Sequence, residues 1–243
     1  MAPTTPGATV LFRIPRARFT RDFVRLAFDV LFNVENTSGG MQQAWHRQDG
    51  WAEARIDEVH KHQALFQVMS YWEPPRAGQM VGMATAAQYA LDAADRLKLN
   101  DADHVWLSVW LYEGNFRVTE LDKAKRVTAM FKRLVETLKP EFAAIDNYGE
   151  NMSKRRGKDP RRFAWGAMYY DAEHVERIGV DKLRGCAALI KQEYPDDAMW
   201  IQTWGNPFIV AKELTQEMEK ELGLKQLFGE AQPSPKGKAK ATP

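Results

Sequence analysis

The ten residues HVWLSVWLYE (104–113) decide how the chain is read. They are apolar at nearly every position and rich in β-branched and aromatic side chains, which suit a pleated strand. An apolar residue at almost every step, rather than every second one, marks a strand covered on both faces. The short EGN turn leads to TELDKAKRVTAMFKRLVETLKP (119–140). Here Leu121, Ala124, Val127, Met130, Phe131, Leu134 and Leu138 recur at helical spacing, so one face of a helix is apolar. Thr119 and Asp122 resemble a capping box at its start, and Pro140 stops it. A sheet covered on both faces, with an amphipathic helix against it, is the unit from which the rest is built outward.

Upstream, TVLFRI (9–14) reads as a strand and Thr20 as the cap of a helix carrying Phe23, Leu26, Ala27, Val30 and Leu31. NTSGG (36–40) and EPPR (73–76) are breaks. The composition of 52–72 favours two strands, and alanine-rich MVGMATAAQYALDAADRL (80–97) predicts a helix. Downstream, FAAID (142–146) and FAWGAMYY (163–170) read as strands. Asp171 caps a short helix closed by Gly179, and VDKLRG adds another helical turn. ALIKQEY and AMWIQTW flank the turn Pro195-Asp196-Asp197 as a hairpin, and Pro207 opens a last helix ending at Gly223. Helices and strands mix without regular alternation, so the expected class is α+β, an antiparallel or mixed sheet with helices packed on it. One domain spans 8–228, with sub-boundaries near 101–104 or 147–162 as candidates. The low-complexity stretch 229–243 is expected to be a disordered basic tail.

The 243 residues are 44% hydrophobic and 27% charged, ordinary for a globular protein. The single Cys186 excludes an internal disulfide and any zinc site built from several cysteines. The start lacks the basic-then-apolar pattern of a signal peptide, and no run reaches the roughly 18 apolar residues of a membrane helix. The expectation is a cytoplasmic protein without a membrane partner. The net charge of +2 is unevenly spread. SKRRGKDPRR (153–162) holds six basic residues and one acid, and the tail from Glu230 holds three lysines and one acid, so the remainder carries −5.

Each candidate chemistry meets a plainer reading. His60 and His62 would share a face of a strand, yet a metal needs a third ligand, and Lys61 between them disfavours a cation. Asp101, Asp103 and His104 in NDADH lack the spacing of a calcium loop and suit a polar turn. Cys186 has no nucleophile signature around it, and His174 is the only histidine near it in sequence, so a small buried hydrophobe is expected. Phosphate-binding, dinucleotide, G-x-S-x-G and H-E-x-x-H motifs are absent, and neither a catalytic function nor a cofactor or metal is expected. The basic loop, with Lys154, Arg155, Arg156, Lys158, Arg161 and Arg162, could grip phosphates, with Phe163 and Trp165 stacking on bases. That leaves a nucleic-acid-binding accessory protein, or an enzyme without a sequence signature, as the alternatives.

WIQTWGNPF (200–208) closes the hairpin. On a strand, Trp200, Gln202 and Trp204 face one way, and Phe208 after the turn is expected to pack back into the core beside them. The order LKPEF, FAWGAMYY, DAEHVERIGVDKLRG and WIQTWGNPF resembles the immunity protein 52 family and related immunity proteins of type VI secretion. The matching positions are Trp165, Gly166, Ile178, Gly179, Leu183, Trp204, Gly205, Pro207 and Phe208, over about residues 120–210. Pro195-Asp196-Asp197 departs from hairpins in that family, which often carry glycine at the turn. The resemblance implies a non-enzymatic antidote that binds a cognate protein toxin and occludes it. Nuclease toxins of the restriction-endonuclease fold are the kind commonly associated with the family. An acidic body would favour capture of a basic nuclease, and Asp92, Asp95, Asp101 and Asp103 are the candidate contact residues.

Overall fold

The computed structural model describes residues 6–31, 50–62, 66–71, 86–92, 99–112, 121–147, 159–209 and 212–224. Its strands are β1 (Pro6–Pro15), β2 (Phe66–Tyr71), β3 (Ala86–Asp92), β4 (His104–Tyr112), β5 (Phe142–Asn147), β6 (Ala167–Tyr170), β7 (Ile190–Glu193) and β8 (Met199–Gln202). Its helices are α1 (Arg21–Leu31), α2 (Gly50–His62), α3 (Leu121–Leu138), α4 (Ala172–Ile178), α5 (Val180–Gly185) and α6 (Lys212–Glu221). The strands form one sheet in the order β2-β3-β4-β1-β5-β6-β8-β7, and every pairing is antiparallel. The fold is α+β.

The register explains why β4 is apolar at successive positions. Val10 of β1 pairs with Val109 and Ile145, and Phe12 with Leu107 and Ala143. These residues join one core with Val24 and Phe28 of α1, Ile56 and Val59 of α2, and the α3 stripe. Leu11, Trp106, Ala144, Met168 and Ile201 point the other way, into a second core with Val175 of α4, Leu183 of α5 and Met218 of α6. The sheet is thus the middle layer of three. Within α3, Ala124, Val127, Met130, Phe131, Leu134 and Leu138 are buried as the spacing predicts, whereas Leu121 at the start stays exposed. Each fully buried large apolar chain contributes on the order of 1.5–3 kcal/mol.

Local chemistry sets the helix ends. The Thr20 hydroxyl accepts the Phe23 N–H (3.2 Å) and starts α1. Asp171 accepts the His174 N–H (2.9 Å) and starts α4. Gly179 then adopts φ +100°, a left-handed turn that lets α5 begin at the next residue. Gly223, at φ +69°, closes the last helix. The β7–β8 hairpin forms as expected, and Asp197 takes the left-handed φ of +60°.

Four expectations are corrected. Residues 50–62 form α2 rather than the first of two strands, because Ile56 and Val59 bury at helical spacing against α1. His60 is therefore helical, and its Nε2 lies 3.1 Å from the Phe19 carbonyl oxygen. The segment 86–92 is a strand, not part of a helix, because it fills the place between β2 and β4. FAWGAMYY extends only from Ala167, and the last helix begins at Lys212 rather than at Pro207. NTSGG, EPPR, Thr119 and the 229–243 tail lie outside the described residues. No described helix is long and apolar enough to cross a membrane.

Candidate functional site

The residues of the family resemblance come together as a brace between β6 and β8. The Thr203 hydroxyl donates to the carbonyl oxygens of Gly166 (2.7 Å) and Trp165 (3.0 Å), and the Thr203 N–H also reaches Gly166 O (3.0 Å). Gly166 meets Pro207 backbone to backbone, with no room for a side chain. Asn206 Oδ1 accepts the Phe208 N–H (3.0 Å), turning Phe208 onto Phe131 of α3 with ring centroids 6.2 Å apart. Trp165 donates its indole N–H to Pro160 O (2.7 Å), and Leu183 is fully buried. The segment 203–209 carries the chain from β8 past Phe208, on the α3 side, to α6 on the opposite side. Trp204 is the exception. It is 46% exposed, so the expected packing of Trp204 beside Trp200 is corrected. The strand ends at Gln202, whose amide donates to the Trp204 carbonyl (2.7 Å) and leaves the ring outside.

The basic loop is described only from Asp159. Lys154, Arg155, Arg156 and Lys158 lie outside the described residues. Arg161 is held by Asp159 through Nε (3.0 Å) and Nη2 (2.8 Å), while Arg162 is exposed. Phe163 and Trp165 are core residues at 5% and 3% exposure, so their rings are not open for the base stacking that the nucleic-acid alternative would use. Their rings pack on each other edge to face at 6.4 Å.

Among the acidic candidates, Asp95 lies outside the described residues, and Asp92 closes β3. Asp103 is exposed. Asp101 Oδ1 accepts the N–H groups of Asp103 (2.9 Å) and His104 (2.6 Å), which makes it the organiser of the turn before β4. His104 Nδ1 lies 3.0 Å from Asp101 Oδ1 and 2.9 Å from Arg13 Nη2. Arg13 is ion-paired with Glu141 and nearly buried, and its field reaches Arg161, Asp101 and Asp159. One acidic and one basic candidate thus meet in a single network around Arg13. Its charges are matched by neighbours, and the described residues contain no cluster able to hold a metal.

The Cys186 thiol is buried, its pKa pushed up by that burial, and Sγ donates to the Leu183 carbonyl (3.2 Å). His174 Nδ1 lies 2.7 Å from Asp171 Oδ1, and its ring stacks on Tyr170. Among the described residues no base is paired to the sulfur, in keeping with a packing role.

A shaped, open surface is formed elsewhere among the described residues. A groove of about 870 Å³ runs between the α4–α5 pair and the β7–β8 hairpin. Half-buried Val180, over the buried Val175, Ala198 and Met199, gives it an apolar floor. Glu173 and Glu176 of α4, Asp181 of α5 and Asp197 of the hairpin turn stand around it as exposed carboxylates. Arg184 crosses to Glu193 with two hydrogen bonds of 2.8 Å and neutralises it. Across the turn is a smaller hollow of about 310 Å³, walled by Tyr169, Tyr194 and Val135 and spanned by the Lys139–Asp196 ion pair (3.4 Å). The register puts the start of β4, with Asp101 and Asp103, at the same sheet end as the groove. It lies four strands away, roughly 19 Å at about 4.8 Å per strand. Sequence reasoning missed the groove. Its only trace was the acidic excess of the body.

The fold is α+β, with helices on both faces of an open antiparallel sheet. The chain is similar to the Pseudomonas aeruginosa T6SS protein PA0821, with a TM-score of 0.52 and 12% identity, over 89% of this chain and 72% of that one. At that identity the likeness is one of fold. No protein-family model and no curated protein matches the sequence.

Proposed function

We propose that the chain is an immunity protein of a bacterial toxin system, acting in the cytoplasm. It binds a cognate protein toxin, with a nuclease the favoured kind, and neutralises it by covering its working surface. The observation that carries this reading is the fold shared across 89% of the chain with a protein described as belonging to a type VI secretion system. The residues of the immunity-protein resemblance support it, because Trp165, Gly166, Pro207 and Phe208 form one packed brace rather than scattered coincidences. Occlusion requires surface complementarity and no reacting group. It therefore asks of the fold only a rigid scaffold with a shaped, charged face.

Co-expression with the product of the adjacent gene tests the reading. Growth should be rescued, and the two proteins should co-elute as one complex in size-exclusion chromatography. Absence of both protection and complex would overturn it.

A further inference from the structure

We propose that the groove between α4–α5 and the β7–β8 hairpin is where the toxin docks, and that its occupant is a protruding cationic segment bearing lysine or arginine beside an aliphatic side chain. This deepens the immunity reading and rests on it. The groove's volume of about 870 Å³ accepts several side chains at once. Its floor is apolar: half-buried Val180 is open to contact, and Val175, Ala198 and Met199 lie buried beneath it. Its rim is unbalanced. Arg184 is hydrogen-bonded to Glu193 and also attracted by Asp181, and Lys182 is the other cation lining the groove, against the carboxylates of Glu173, Glu176, Asp181 and Asp197. None of those four carboxylates makes an ion pair with a described residue.

Exposed carboxylates are hydrated in the free protein and cost little. Covered by a cationic partner, they strengthen as water leaves. An acidic rim over an apolar floor selects a segment that is positive at its edges and aliphatic at its centre, and it repels a phosphate backbone. A nuclease must concentrate cations where it grips phosphate. A groove that engages those cations would deny the toxin its substrate without touching its reacting groups.

The test uses the full-length, ¹⁵N-labelled chain and a synthetic peptide of alternating lysine and leucine, with its glutamate–leucine analogue as control. The lysine peptide should saturably shift the amides of Glu176, Asp181 and Asp197, and the glutamate peptide should not. Charge reversal in E176K/D181K should weaken binding about tenfold at low salt and less at high salt. E173K/D197K provides an independent pair should the first fold poorly, and D103K, at the distant β4 start, should bind like the parent. Shifts confined to other surfaces, or equal affinity in the reversed variants, would overturn the proposal. A second arm replaces the peptide with the product of the adjacent gene. Neutralisation of that toxin equally by parent and E176K/D181K would remove the groove and leave the immunity reading standing. Peptide capture in the groove by a chain that binds no such toxin would remove the immunity reading and leave the groove as a site for cationic segments.

Discussion

Gly166 lies against Pro207 so closely that a methyl group on its α-carbon would fall on the Pro207 carbonyl oxygen. The neighbour is backbone, held in turn by the Asn206–Phe208 hydrogen bond, so it cannot swing aside as a side chain would. Gly166→Ala should therefore cost about 1–3 kcal/mol. At roughly 2–4 °C per kcal/mol for a chain of this size, the loss should be plain in a thermal melt. A melting temperature equal to the parent's would show that the brace is slack.

The two aromatic residues flanking that turn should behave differently. Phe208 is fully buried against Phe131, so Phe208→Ala should cost about 3–5 kcal/mol. Trp204 is half exposed, and Trp204→Ala should change stability by about 0.5 kcal/mol or less. Urea midpoints of the two variants measured side by side decide this. Equal losses would mean that the Trp204 ring is packed after all.

Acid should destabilise the fold through two identified carboxylates. Burial pushes the Asp171 carboxyl up, but hydrogen bonds from the His174 side chain and backbone outweigh it and hold the pKa below the usual range. Asp159 is likewise pushed up by burial and drawn below its ordinary value by Arg161. A depressed folded-state pKa gives stability that is present above the unfolded value, about 4, and is lost as pH falls through the folded value. Asp171→Asn keeps a capping oxygen while removing the charge. It and Asp159→Asn should flatten the fall in urea midpoint below about pH 4. Slopes identical to the parent's would dismiss both groups as the source.

The Cys186 thiol should be silent in the native protein. It is buried, its pKa is raised by that burial, and it donates to Leu183 O. A thiol-specific dye should label nothing at neutral pH until denaturant is added, and then one equivalent. Fast labelling of the folded protein would contradict the packing role.

The pattern of HVWLSVWLYE and the stripe of α3 were legible because both record burial that the elements impose on themselves: one strand between two layers, one helix on a sheet. The hairpin and the caps at Thr20, Asp171 and Gly179 were legible because their chemistry is local. AAQYALD was misread because alanine favours helix in isolation, while its pairing with β2 and β4 depends on strands elsewhere in the chain. The helix at 50–62 was misread because charges obscured the Ile56–Val59 spacing. Trp204 defeated strand alternation because the strand ends two residues earlier. The groove was illegible for a further reason. Glu173, Asp181 and Asp197 are ordinary surface acids until two helices and a hairpin set them around one apolar floor.

The position of β1 bears on how the molecule is made. It precedes the other described strands in the chain, yet it sits in the interior of the sheet, and its register partners lie in β4 and β5. A ribosome adding about 5–20 residues per second needs on the order of ten seconds to deliver Ile145 after Val10. Through that interval Leu11, Phe12 and Ile14 have emerged without the strands that will pair with them. The nascent chain thus presents an apolar ribbon to the cell before it can present a finished surface. Supply of the functional protein should accordingly lag behind its translation and lean on chaperones that shield extended hydrophobic segments.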